Sequence, residues 1–69
     1  MRRISYDPLW KTLIDRQMKK GEFTKLVCLS QSTMNQLNHN ESVTMDTILK
    51  ICQKLDCEIY DVVEIRHSS

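Results

Sequence analysis

Residues Lys20 to Leu37 read KGEFTKLVCLSQSTMNQL, and their apolar positions are Phe23, Val27, Leu29, Met34 and Leu37. That spacing predicts a helix from about Lys20 to Val27 and another from Gln31 to about Asn38, joined by the turn Cys28-Leu29-Ser30. Ser30 stands where the second helix has to be capped. The pattern is that of a helix-turn-helix. One side of its second helix is buried, and Ser32, Asn35 and Gln36 are left free on the other, the disposition that lets a helix enter the major groove of double-stranded DNA.

Outward from this unit, Asp7-Pro8 opens a first helix, with Asp7 as cap and Pro8 at the first helical position, where its missing N–H costs nothing. Leu9, Trp10, Leu13 and Ile14 form its expected buried stripe, with Trp10 read as core. The second helix lacks a Ser, Thr, Asp or Asn cap, and Glu22 in its first turn favours the positive end of the dipole. The polar run Asn38-His39-Asn40 ends the third helix, since Asn tolerates left-handed backbone. Thr44 caps a fourth helix with Met45, Ile48, Leu49, Cys52 and Leu55 at helical period, and Asp56 closes it. A short fifth helix is expected at about Ile59 to Val62. Arg3–Tyr6 and Val63–Arg66 alternate polar and apolar and suit two short strands that pair. The expectation is one compact all-α domain over residues 1–69, five helices with a two-stranded antiparallel ribbon of the terminal segments.

Composition sets bounds. The 69 residues are 41% hydrophobic and 28% charged with one Gly and one Pro, so the chain is a globular domain with a small core, and association would add to its stability. No apolar run suits a membrane span or a secretory signal, which places the protein in the cytoplasm. Cys28, Cys52 and Cys57 are an odd set flanked by apolar residues and read as reduced, partly buried thiols. Zinc held by Cys52, Cys57 and a histidine is the alternative, but a lone C-x4-C lacks a second ligand pair, and no metal or cofactor is assigned. Through Asn40 seven basic residues face three acids, while from Glu41 onward three face six, so the half with the helix-turn-helix is the one suited to a polyanion.

The stretches ISYDPLW, LSQSTMNQL and ICQKLDCEIYDVVEI resemble the lambda-repressor-like family of helix-turn-helix regulators, of the Cro and phage-repressor (XRE) type, over nearly the whole chain. The resemblance implies a DNA-binding transcriptional regulator, a homodimer that docks two copies of the third helix in successive major grooves about 34–36 Å apart. It places base-reading residues at Gln31, Ser32 and Gln36, and helical geometry adds Asn35 beside Ser32. Gln and Asn each suit a bidentate contact to adenine. Phosphate contacts fall to Lys20, with Lys19 beside it, and to Thr33 and Asn40. The chain departs from the family at Cys28, where Gly is usual and a left-handed side chain costs on the order of 1–2 kcal/mol, so either Cys28 holds positive φ or the turn differs. Thr24 replaces the usual small residue of the second helix, and the net charge of +1 makes dimerisation more important for affinity.

A protein-interaction module on the same fold, antitoxin-like or a phage regulatory partner, is the rival reading, and it would show a weak dependence of affinity on salt. Catalysis has no support in the pattern: His39 and His67 have no nucleophile motif attached, the only glycine, Gly21, makes no phosphate loop, and no small-molecule substrate is implied.

Overall fold

The computed structural model describes residues 1–67, in the order β1 (Arg2–Ser5), α1 (Asp7–Asp15), α2 (Lys20–Val27), α3 (Gln31–Asn38), α4 (Met45–Leu55), a 3-10 turn (Ile59–Asp61) and β2 (Glu64–His67). The mostly helical domain therefore has four α-helices and a two-stranded antiparallel sheet; the expected fifth helix is only the 3-10 turn. In that turn Asp61 N–H and Val62 N–H donate to the carbonyls of Glu58 and Ile59, three residues back.

β1 pairs with β2 in the register Ile4↔Ile65 and Ser5↔Glu64, each strand one residue nearer its chain end than the alternation indicates. Tyr6 leaves the strand because its carbonyl already accepts from the N–H groups of Leu9 at 3.0 Å and Trp10 at 3.3 Å. For the same reason Asp7 is not the cap of α1 but its first residue; Tyr6 is the N-cap, without a side-chain cap bond, and the buried Ser5 hydroxyl satisfies the Asp7 N–H at 3.3 Å. Asp7 instead lends its charge to the first turn and pairs with Arg66 of β2 at 2.9 Å.

The core is Tyr6, Leu9, Leu13, Phe23, Val27, Met34, Leu37, Ile48, Ile51, Leu55 and Val62, drawn from every helix. Two stripes differ from the periodicity. In α1, Leu9 and Leu13 are buried, Trp10 is half-buried and Ile14 is exposed. In α4 the inward row is Ile48, Ile51 and Leu55, while Met45 and Leu49 face outward. Ile48, Leu49, Ile51 and Cys52 are all apolar, so period alone fits either of two adjacent rows, and packing against the rest of the core selects one.

All four helices end alike. Gln17, Cys28, Asn40 and Asp56 take φ of 55°, 60°, 55° and 52°. The N–H that follows each reaches back five residues: Met18 to Leu13, Leu29 to Thr24, Glu41 to Gln36 and Cys57 to Cys52. The turn between α2 and α3 is thus the usual left-handed one, held by a cysteine.

Candidate nucleic-acid interface

α3 is fixed from its two ends and its inner side. At its start the Ser30 hydroxyl accepts from the Thr33 N–H at 3.2 Å and lies 3.0 Å from the Thr33 hydroxyl, as the capping pattern predicts. Met34 and Leu37 are buried inside. At its end Asn40 turns left-handed, and its Oδ1 accepts from the Tyr6 N–H at 3.1 Å, while the buried Tyr6 hydroxyl donates to the Glu41 carbonyl at 2.6 Å. The junction of β1 and α1 therefore clamps the exit of α3.

The outer side carries the expected residues. Gln31, Ser32 and Asn35 are exposed and Gln36 is half-buried. Gln31 Nε2 donates to Asn35 Oδ1 at 3.1 Å, one turn on, so two of the amides form a pair. His39 Nδ1 lies 2.8 Å from the Asn35 carbonyl.

The residues expected to meet phosphate divide. Lys19 is exposed at the position preceding α2. Lys20 stands over Trp10, its Nζ 4.2 Å from the ring centroid, and donates to Asn38 Oδ1 at 3.0 Å, so it links α1, α2 and α3. Thr33 is half-buried and coupled to Ser30. Asn40 is exposed, but its carbonyl oxygen is committed to Tyr6, a holding role the polarity of the helix end did not disclose. Asn38 as the partner of Lys20 was also missed, because it joins residues eighteen apart in sequence. The spacing of Trp10 and Lys20 carries no local pattern either.

The thiols offer no comparable centre. Cys52 and Cys57 lie half-buried; burial pushes both up, and it raises Cys57 to about 11, helped by its neighbours Cys52 and Asp61. Among the described residues no group of three or more His, Cys, Asp or Glu is placed to hold a metal ion, and no helix is long and apolar enough to cross a membrane.

A family model for the Cro/C1-type helix-turn-helix DNA-binding domain matches residues 8–67. The chain is similar to the crystal structure of the transcriptional regulator VanUg (Form II), at 45% identity and a TM-score of 0.93, over 97% of this chain and 89% of that one. No curated protein sequence matches it.

Proposed function

The chain belongs to the Cro/C1-type helix-turn-helix family of DNA-binding domains, and from that premise we propose that it is a sequence-specific transcriptional regulator. It binds double-stranded DNA in the cytoplasm as a homodimer, with α3 of each copy in the major groove. Its role is binding, not catalysis. Gln31, Ser32, Asn35 and Gln36 read base edges, and Lys19, Lys20 and the amides around Thr33 meet phosphate. For Asn40 the reading keeps only the side-chain amide as a phosphate donor, because the oxygen is held by Tyr6.

The observation that carries this reading is the two-sidedness of α3: Met34 and Leu37 are buried on one side, and the hydrogen-bonded pair Gln31 and Asn35 is exposed on the other. A reading helix without Arg or Lys favours A·T-containing steps over G-rich ones. Selection of bound duplexes from a random pool tests it. Palindromic sites with half-site centres one helical turn apart are expected; recovery of no preferred sequence at low salt would contradict specific reading.

A further inference from the structure

Beside the exit of α3 the surface opens into an apolar groove of about 410 Å³, formed by β1, the start of α4, the 3-10 turn and β2. Buried Tyr6 and Ile48 form its floor, and Met45, Tyr60 and Ile65 form walls that are 68%, 71% and 60% exposed. Ile59 joins them at 45%. The exposed parts of these side chains amount to on the order of 500 Å², the upper end of what a monomer leaves in water. That is about a tenth of the 4964 Å² of the whole chain, the share a stable interface takes from a small protein.

The geometry points to a second copy of this chain as the occupant of the groove, so that the same face on both copies forms the dimer; the inference takes from the proposed function only its need for two copies. A two-fold interface must be complementary to itself, offering a projection and a recess on one patch. Tyr60 and Met45 supply the projection beside the recess they border. Charge points the same way. Among the described residues Glu64 is the only charged one lining the groove, and its Oε1 already accepts from Arg66 Nε at 2.6 Å, so two such faces meet without an unpaired charge. A strongly charged partner would find nothing there to pair with.

Position adds a third argument. No residue of α2 or α3 lines the groove, so DNA and the second copy do not compete for one surface. Tyr6 belongs both to its floor and to the clamp on Asn40 and Glu41, which ties the direction of α3 to any axis passing through this face.

Sedimentation equilibrium of the full chain without DNA, from micromolar to millimolar, tests this. The parent is expected to run as a dimer of the 8.2 kDa chain in this range. Tyr60→Glu and Ile65→Arg should each weaken that dimer by about thirtyfold or more with helical circular dichroism unchanged, because both side chains are exposed. Leu26→Glu, on α2 and outside the groove, should leave the dimer intact. A parent that is monomeric throughout, or a dimer that survives both groove variants, overturns the inference. If the groove variants dissociate the dimer but the parent binds no duplex, this inference stands and the regulatory reading fails.

Discussion

Gln31 Nε2 donates to Asn35 Oδ1 at 3.1 Å across one exposed turn of α3. The bond sets the orientation of both amides and leaves Gln31 with Oε1 and a second N–H, the acceptor and donor that adenine N6 and N7 require. Asn35 keeps its own N–H groups. Held in advance, the pair loses less side-chain freedom on docking than two independent amides would.

Gln31→Ala should weaken binding to a selected duplex by about 1–3 kcal/mol and relax preference at one position of each half-site. Asn35→Ala should lose part of the same energy by releasing Gln31. In fluorescence anisotropy titrations the double variant should therefore lose less than the sum of the two; strict additivity would mean that the bond does not organise the pair.

Lys20 Nζ sits 4.2 Å from the Trp10 ring centroid and 3.0 Å from Asn38 Oδ1, so a phosphate would compete with both contacts. Trp10 is the only tryptophan. Duplex binding should change its emission in the parent and much less in Lys20→Ala. The same variant should weaken binding to all sequences alike and reduce the slope of log affinity against log salt by about 0.9. An unchanged slope would remove Lys20 from the phosphate contacts.

Replacing Cys28 by Gly should raise stability by about 1 kcal/mol, because φ is 60° there and glycine removes the left-handed penalty. Asn40→Gly is expected to do the opposite despite φ of 55°, since it strips the acceptor from the Tyr6 N–H. Urea denaturation distinguishes the two, and a gain at both positions would show that the bond from Tyr6 to Asn40 contributes little.

The folded chain binds the Cys57 proton more tightly than the unfolded chain, its pKa standing at about 11 against 9.0, chiefly through burial. That contribution is complete below about pH 9 and disappears as the pH rises through about 11. Thermal melts of the parent should accordingly fall more steeply over this window than those of Cys57→Ala. Parallel curves would contradict the shift.

Much of this arrangement was legible in local pattern, and what was not depended on distance. The caps Ser30 and Thr44 follow from side chains that bond within their own turn, and the bounds of α2 and α3 from the spacing of their apolar residues. The left-handed geometry at Cys28 was left open, because a thiol gives no signal for it. Gln17 takes the same conformation with no Gly or Asn to announce it. Met45 and Leu49 were read inward because α4 offers two apolar rows. The exposed face of α3 was likewise readable from Met34 and Leu37. The clamp of Tyr6 on Asn40 joins residues 34 apart, and Lys20 to Asn38 joins residues 18 apart, beyond any local rule.

Side-chain and backbone amide shifts of α3, followed by NMR during titration with a selected duplex, test the reading face most directly. The largest changes are expected at the side-chain amides of Gln31, Asn35 and Gln36 and the backbone of Ser32, with Met34 and Leu37 shifting little. Changes confined to β1, β2 and α4, with the amides of α3 silent, would contradict the assignment of α3 to the major groove.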